Sequence, residues 1–308
     1  MEVLVIGAFP EATKQKIADI FPKEWTLHIA PPQEAARFLP RAEVVIPEHV
    51  QVDAAFLARA PKLRLVHTGA GHDNVDLKAC AARGVRVCGA AGVNASAVAE
   101  HTMALLLAWY KNIPRLDGFM KARGSELSYS GGELAGKTIG LVGLGHIGAR
   151  VAALCRAFDM QVLGCSRRAA PPDIEAVGLE ELLHRSDVVS LHIPLTDATR
   201  GMIGRAELAG MKKTALLINT SRGAVVDEAA LVQALTLGQI AGACLDVYAQ
   251  EPLPQGSPLR SMENVILTPH TAGFPDGVGY HEARYRFFIR NIRRLLASQQ
   301  LEQELGRV

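Results

Sequence analysis

Short apolar segments alternate with helix-forming segments along almost the whole chain, and this alternation limits the fold more than any other feature. The apolar segments are rich in Val, Leu and Ile, as strands buried on both faces of a sheet are. Parallel strands need a crossover connection, usually a helix, so the pattern predicts an α/β protein with doubly wound parallel sheets. The predicted strands are 3–6, 26–29, 44–46, 63–67, 85–88, 138–142, 161–164, 188–193, 215–219, 242–247 and 265–268.

Two longer helices stand out from this alternation. One is predicted from Ala95 to Tyr110, and as far as Arg115 if Pro114 only kinks it. The other is amphipathic and is predicted to run from about Asp276 to Ala297. The strand and helix alternation restarts after the first long helix, so two α/β units are expected.

Composition narrows the class of protein. Lys and Arg number 33 against 31 Asp and Glu, a net charge of +2, which argues against a nucleic-acid or membrane-surface partner. The longest apolar run, Met103 to Tyr110, is far shorter than the ~18 residues of a membrane span. The five cysteines are odd in number and include no CxxC pair, which is typical of reduced thiols. We therefore expect a soluble cytoplasmic protein.

A G-x-G-x-x-G motif follows the strand 138–142 and opens a predicted helix. In such a motif Gly143 permits a tight turn, Gly145 lets the backbone approach a pyrophosphate, and Gly148 lets helix and strand pack closely. His146 and Ile147 begin the helix, whose free N–H groups favour phosphate. The motif predicts a dinucleotide site, with a glycine-rich turn that binds no ligand as the alternative.

The next strand ends in Ser166, Arg167 and Arg168 rather than in a carboxylate. In dinucleotide-binding units an Asp or Glu about 20 residues after the motif bonds the ribose 2′-hydroxyl of NAD. A hydroxyl and two guanidinium groups suit a 2′-phosphate instead. The sequence therefore predicts NADP as the cofactor, and NAD remains the alternative if these arginines are solvated loop residues.

Three later strands each lead into a turn that carries a charged or titratable residue: Arg222, Glu251 and His270. The carboxyl edge of a parallel sheet is where ligands bind in such folds. Taken singly, Arg222 and Glu251 could be a surface ion pair and His270 a loop histidine. Together with a dinucleotide motif upstream they indicate a catalytic constellation.

At this point the sequence resembles the D-specific 2-hydroxyacid dehydrogenase family along nearly its whole length. The resemblance rests on the glycine motif, on Asn219-Thr220-Ser221-Arg222-Gly223 with Val226-Asp227, on Leu245-Asp246-Val247 with Glu251-Pro252, and on Thr268-Pro269-His270. It implies a flavodoxin-like substrate-binding domain, residues 1–94 plus 285–308, and a Rossmann-type dinucleotide-binding domain, residues 95–284. The implied reaction moves a hydride between NADP(H) and a small 2-keto acid or D-2-hydroxy acid, as in glyoxylate/hydroxypyruvate reductases.

The resemblance also implies roles for single residues. Arg222 would bind the substrate's carboxylate and carbonyl oxygen, for which its bidentate fork is suited. His270 would be the acid/base, and Glu251 would orient its ring and stabilise its protonated form. Gly69, Ala70 and Gly71 would hold the substrate carboxylate with backbone N–H groups. Further cofactor contacts would come from His192, Pro194, Thr199, Thr220, Ser221, Asp246 and Gly273.

Further expectations concern metal, assembly and alternative functions. A metal cluster could be read into His67, His72, Asp73 and Asp76, but nothing else in the sequence completes a ligand set, so no metal is expected. In the family the region of the helix from Ala95 to Tyr110 forms a twofold interface, which implies a homodimer. Many members carry Trp in the loop before the glycine motif, where this chain has only Tyr129. The alternatives are a dinucleotide-sensing binding protein of corepressor type on the same fold and a formate-type dehydrogenase.

Overall fold

The alternation of strands and helices predicted from the sequence is the architecture of the protein. A computed structural model describes residues 1–48, 50–69, 71–122, 131–167, 169–274 and 281–306. The strands are β1 (Glu2–Ile6), β2 (Thr26–Ala30), β3 (Val44–Pro47), β4 (Leu65–Thr68), β5 (Arg86–Gly89), β6 (Thr138–Val142), β7 (Gln161–Cys165), β8 (Glu175–Ala176), β9 (Val188–Leu191), β10 (Leu216–Asn219), β11 (Gly242–Leu245), β12 (Val265–Leu267) and β13 (Glu304–Leu305). The helices are α1 (Glu11–Ile20), α2 (Ala54–Ala58), α3 (Leu77–Ala82), α4 (Ala95–Tyr110), α5 (Ile113–Lys121), α6 (His146–Ala157), α7 (Leu179–Arg185), α8 (Arg205–Ala209), α9 (Glu228–Thr236) and α10 (Glu282–Leu296).

The first compact unit is assembled from both ends of the chain, Met1–Asn94 and Phe274–Val308. Its described residues form a sheet in the order β13-β5-β4-β3-β1-β2, parallel except for the edge strand β13. Helix α10 supplies much of the core on one face, since Tyr285, Phe288 and Ile292 are fully buried. The sheet order reverses direction at β1, where ligands bind in open α/β sheets.

The second compact unit is the continuous segment Ala95–Gly273. Over its described residues the sheet order is β12-β11-β10-β9-β6-β7-β8, and every pairing is parallel. The strand order reverses at β6, so the turn after β6 lies at the topological switch point of this sheet. Both units are α/β with helices packed on the sheets, which confirms the predicted fold class.

The second boundary between the units lies earlier than the predicted 284/285, because the compact units divide at 273/274. The reason is visible at the start of α10. Arg284 already bonds Glu48 of the first unit, with Nη2 at 2.5 Å from Oε1. Arg284, which the prediction assigned to the second unit, therefore belongs with the first. The predicted start of the helix at Asp276 lies outside the described residues.

The first long helix stops where the sequence allowed it to continue. Asn112 adopts a left-handed backbone with φ of 52°, and α5 then begins at Ile113 with Pro114 in its first turn. A left-handed residue cannot belong to a right-handed helix, so α4 ends at Tyr110. Proline at a helix start loses no hydrogen bond, which explains why Pro114 begins a helix rather than kinking one. None of the helices in the described ranges combines the length and apolar character needed to cross a bilayer.

Candidate active site

The glycine turn after β6 is built by close backbone contacts. Gly143 has φ of +101°, and its N–H donates to the carbonyl of Cys165 at 2.8 Å. A Cβ on Gly143 would lie 2.4 Å from the carbonyl oxygen of His192, and one on Gly148 would lie 2.0 Å from the carbonyl oxygen of Gly143. Both glycines are therefore required by the fold itself.

Gly145 is different, because a Cβ there would meet nothing within 4 Å. It is the N-cap of α6, and His146 and Ile147 form the helix's first turn. The first N–H groups of a helix lack partners within the helix and carry partial positive charge. An open position at the start of a 12-residue helix, at a switch point, fits the pyrophosphate of a dinucleotide.

Ser166 and Arg167 follow β7 directly beside this turn, because Cys165 pairs in register with Val142. Both side chains are exposed. The segment from Gly164 to Arg167 contains no carboxylate. Arg168, the second predicted guanidinium, lies outside the described residues.

The loop after β9 faces the same turn. Ser190 Oγ lies 3.0 Å from His192 Nε2, and burial lowers the pKa of His192 to about 4, so its ring is neutral near pH 7. Thr199 turns its hydroxyl into the loop, accepting from the Thr196 N–H at 2.8 Å and donating to the Pro194 carbonyl at 2.7 Å. Thr199 therefore shapes the loop in which Pro194 is exposed.

The turn that carries Arg222 is held by Asn219 at the end of β10. Asn219 Oδ1 accepts from the N–H and the hydroxyl of Ser221, at 3.0 and 2.8 Å, and its Nδ2 donates to the Arg222 carbonyl at 3.0 Å. Thr220 Oγ1 lies 3.1 Å from Thr102 Oγ1 on α4. The half-buried Arg222 also donates from Nη1 to the Ser221 carbonyl at 2.7 Å. Thr220 and Ser221 are both buried, Ser221 bonded within the turn and Thr220 bonded to α4.

Gly223 packs this turn against the turn that carries Glu251. A Cβ on Gly223 would lie 1.9 Å from the carbonyl of Tyr248, so only glycine allows this approach. Glu228 then fixes the neighbouring backbone by accepting from the Ala249 N–H at 3.0 Å. The Arg222 and Glu251 turns are thus mutually positioned by backbone packing.

Glu251 and His270, which the family resemblance pairs from two separate turns, are in hydrogen-bonding contact. His270 Nδ1 lies 2.6 Å from Glu251 Oε2, while Glu251 Oε1 accepts from the Tyr248 N–H at 3.1 Å. Each side chain is 34% exposed. With Nδ1 donated to the carboxylate, Nε2 is the ring nitrogen that can transfer a proton. Arg222, Glu251 and His270 follow β10, β11 and β12, three neighbouring strands.

Asp246 is buried beneath the His270 loop and accepts hydrogen bonds from residues of that loop. Its Oδ1 accepts from Thr268 Oγ1 at 2.7 Å and from the Thr271 N–H at 2.9 Å, and its Oδ2 accepts from the Ala272 N–H at 2.9 Å. Tyr248 adds a bond from its hydroxyl to the Thr268 carbonyl at 2.8 Å. The bonds of Asp246, which the resemblance implies is a cofactor contact, organise the loop that carries His270 and Gly273.

The remaining predicted site residues lie in the first unit. Gly69 follows β4, and its carbonyl accepts from the Ala90 N–H at 2.9 Å. Gly71 is half-buried. Ala70 and Tyr129 lie outside the described residues. Among the residues that are described, no group of three or more His, Cys, Asp or Glu side chains could hold a metal ion.

Sequence reasoning assigned no supporting role to five residues that hold the turns of the candidate site: Asn219, Gly223, Tyr248, Thr268 and His101. Gly223 could have been singled out because glycine directly after an expected catalytic arginine suggests a close backbone approach. The others act through contacts between residues far apart in sequence, which no local pattern reveals.

Comparison with known proteins gives a consistent assignment. Residues 103–272 match the model of the D-isomer specific 2-hydroxyacid dehydrogenase NAD-binding domain. A glyoxylate reductase of Aeropyrum pernix is 39% identical over 284 residues, 86% of this chain and 84% of that protein. A D-3-phosphoglycerate dehydrogenase of Archaeoglobus fulgidus is 38% identical over 248 residues, 78% of this chain but only 47% of that protein.

One solved structure is informative about the cofactor of a relative. It is the NADPH-dependent glyoxylate/hydroxypyruvate reductase of Sinorhizobium meliloti, solved in complex with NADP and malonate. It matches with a TM-score of 0.87 and 26% identity, over 99% of this chain and 96% of the other. The matched domain model spans more than half of the chain and contains Arg222, Glu251 and His270. The chain therefore belongs to the D-isomer specific 2-hydroxyacid dehydrogenase family.

Proposed function

We propose that this protein is an NADP(H)-preferring reductase of small 2-keto acids of the glyoxylate/hydroxypyruvate type. The observation that carries the proposal is the 2.6 Å contact between His270 and Glu251, on the strand edge next to the Arg222 turn. Ketone reduction needs an acid for the carbonyl oxygen and a cation for the carboxylate, and these residues supply both.

The dinucleotide would be held by the turn Gly143–Gly148 and by the first turn of α6. When bound, a reduced nicotinamide dinucleotide supplies the hydride for the carbonyl carbon. Open space at Gly145 and the exposed Ser166 and Arg167 support this assignment. Residues 95–273 would accordingly be the dinucleotide-binding unit, and 1–94 with 274–308 the substrate-binding unit.

His270 acts on the oxygen of the substrate carbonyl. Its protonated ring donates from Nδ1 to Glu251 and from Nε2 to that oxygen, which becomes the hydroxyl of the product. Glu251 stabilises the positive ring and fixes its orientation. In the oxidative direction the neutral ring takes the same proton back.

Arg222 binds the anionic end of the substrate. Its guanidinium can engage the carboxylate in bidentate fashion and still polarise the neighbouring carbonyl. The positive charge is useful before and during the reaction, so Arg222 contributes to binding as well as to turnover. Gly69, Ala70 and Gly71 are proposed as substrate-binding residues, as the family resemblance implies.

Preference for NADP rests on the end of β7. Ser166 removes the carboxylate that would repel a 2′-phosphate, and Arg167 brings a cation to the same position. The relative from Sinorhizobium meliloti, described as NADPH-dependent, supports this assignment. Preference for glyoxylate is supported by the glyoxylate reductase of Aeropyrum pernix.

The test is NADPH oxidation, followed at 340 nm, with glyoxylate, hydroxypyruvate and phenylpyruvate. We expect turnover with at least one of the first two substrates. NADP reduction by formate without keto acid reduction would instead show a formate-type dehydrogenase. Tight dinucleotide binding with no turnover of any substrate would show a sensing protein. Either outcome contradicts the proposal, and His270→Ala is the matched inactive control.

A further inference from the structure

The loop that carries His270 is fixed on both sides by a single carboxylate. Asp246 accepts from Thr268 before His270 in the chain and from the backbone of Thr271 and Ala272 after it. His270 itself has a left-handed backbone, with φ of 56°. A non-glycine residue keeps such a conformation only when its surroundings impose it.

The direction of the hydrogen bonds in this network follows from Asp246. Its side chain is 1% exposed and accepts bonds at both oxygens, as an ionised carboxylate does. The single hydroxyl proton of Thr268 is therefore donated to Asp246. Thr268 Oγ1 also lies 3.0 Å from His101 Nε2, and since its proton is already used, it must accept there. His101 consequently carries its proton on Nε2.

His101 lies on α4, outside the three catalytic turns. Its Nε2 is 3.7 Å from Asp246 Oδ1, too far for a hydrogen bond but close enough for electrostatic attraction to the buried carboxylate. The next residue, Thr102, contacts Thr220 in the turn before Arg222. Adjacent residues of one helix thus support the loops of both His270 and Arg222.

We propose that His101 is a positioning residue for His270, acting through the chain of bonds from its Nε2–H to Thr268 and on to Asp246. This inference rests on the proposed function, because it assigns His270 the acid/base role. Removing the Nε2 donor leaves Thr268 with one partner fewer and loosens the loop on the side before His270. The ring then meets Glu251 and the substrate oxygen less accurately, so the chemical step suffers more than binding through Arg222.

The kinetic test compares His101→Leu with His101→Gln, whose side-chain amide can place a donor near the position of the histidine Nε2. For His101→Leu we expect kcat to fall about 10- to 100-fold, since misplacement of a reacting group by about 1 Å has that effect. KM for the keto acid should change less than about threefold, and the basic limb of the kcat/KM profile should move to lower pH because Glu251 stabilises the protonated ring less well. His101→Gln should recover most of the loss.

The matched control is His184→Leu, which removes a histidine of α7 that bonds the carbonyl of Gly210 at 2.8 Å. It should leave kcat and the pH profile unchanged. If His101→Leu lowers activity only in proportion to the folded fraction, with an unaltered pH profile, His101 is merely structural and the inference is wrong. Equal damage from His101→Gln would overturn it as well.

A second readout does not depend on activity. Long-range proton–nitrogen NMR spectra of the uniformly labelled protein near pH 8 report which ring nitrogen of His101 is protonated. We expect the Nε2–H tautomer, assigned by its loss in His101→Gln. The Nδ1–H tautomer would overturn the hydrogen-bond chain. If the tautomer is as expected but wild-type protein reduces no keto acid, the proposed function fails and, with it, the role given to His101.

Discussion

If His270 is the acid/base, its replacement should lower the rate of turnover. His270→Ala should lower kcat by roughly 10²–10⁴-fold, the usual effect of losing a general acid. Arg222→Ala should damage both KM and kcat because its charge is needed in the ground state and the transition state. Steady-state kinetics with glyoxylate measures both. Wild-type turnover by His270→Ala would remove the acid/base assignment.

Ser166 and Arg167 make a prediction about the cofactor. One well-placed charge-assisted bond of ~1.4 kcal/mol corresponds to about tenfold in kcat/KM, so NADPH should exceed NADH by at least that factor at low salt. Ser166→Asp with Arg167→Gln should reverse the preference, because a carboxylate bonds the ribose hydroxyls and repels phosphate. Paired cofactor titrations at fixed substrate provide the measurement. Equal efficiencies in the wild type would mean that Arg167 is a solvated loop residue.

The burial of His67 predicts how the free energy of unfolding changes at acid pH. It is fully buried on β4, with its ring 4.6 Å from that of Phe288, and burial lowers its pKa from 6.5 to about 3. The unfolded chain therefore binds a proton at this residue below pH 6.5 while the folded protein does not, so stability is lost as the pH falls from 6.5 towards 3. At pH 5 the difference amounts to about 2 kcal/mol.

His67→Leu removes this term and keeps a side chain of similar size. Urea unfolding at pH 7.5 and pH 5 should show that the variant loses about 2 kcal/mol less stability between the two pH values than the wild type does. His184→Leu, at an exposed position, should follow the wild type. Identical pH dependence in His67→Leu would show that the ring is protonated inside the fold.

At the scale of elements, substitution of two glycines should affect two different properties: Gly223 the stability of the fold and Gly145 the binding of dinucleotide. Gly223→Ala would force a methyl group against the carbonyl of Tyr248, and overpacking of this kind typically costs about 1–3 kcal/mol. Gly145→Ala meets no protein atom, so the urea midpoint should stay near that of the wild type while dinucleotide binding weakens. Fluorescence titration with NADPH would measure the binding. Unchanged affinity in Gly145→Ala would place the pyrophosphate elsewhere.

The longer elements were predictable because their signals are local. Strands such as β6 and β10 are continuous apolar runs, and the glycine motif predicts the start of α6. The two-residue strands β8 and β13 carry no such run, since pairing alone defines them. The end of α4 at Tyr110 was predicted, whereas the alternative of a kinked continuation to Arg115 was wrong, because Asn112 is left-handed and α5 begins at Ile113.

The same contrast holds for the candidate site. Arg222, Glu251 and His270 each follow an apolar strand, and the shared carboxyl edge of a parallel sheet predicts that they converge. The Thr199 hydroxyl bonds the backbone of its own loop, and this depends on how the loop folds back on itself. The bonds from Asp246 to Thr268 and Thr271 depend on the fold, which brings two distant segments of the chain together. Neither leaves a periodic signal in the sequence.

At the scale of the whole molecule, the apolar surfaces of α4 and α5 indicate that two copies of the chain associate. Ile113 and Met120 on α5 are 56% and 64% exposed, and the apolar residues of α4 extend over more than one face. We expect a homodimer that buries more than about 2,000 Å², the size of obligate interfaces. Sedimentation at micromolar concentration should give the mass of two subunits, and a single-subunit mass would contradict this prediction. Ile113→Glu should weaken the dimer, whereas Leu237→Glu, at an equally exposed position, should not.

The origin of the first unit from both ends of the chain has a consequence for biosynthesis. Residues 95–273 are contiguous, so this unit can form as soon as it leaves the ribosome. The first ninety-four residues emerge earlier, yet one face of their sheet is covered only in part, by α1, until Tyr285 and Phe288 of α10 have been translated. Nascent chains halted before α10 should therefore present that apolar face to chaperones, even though their second unit is already resistant to protease.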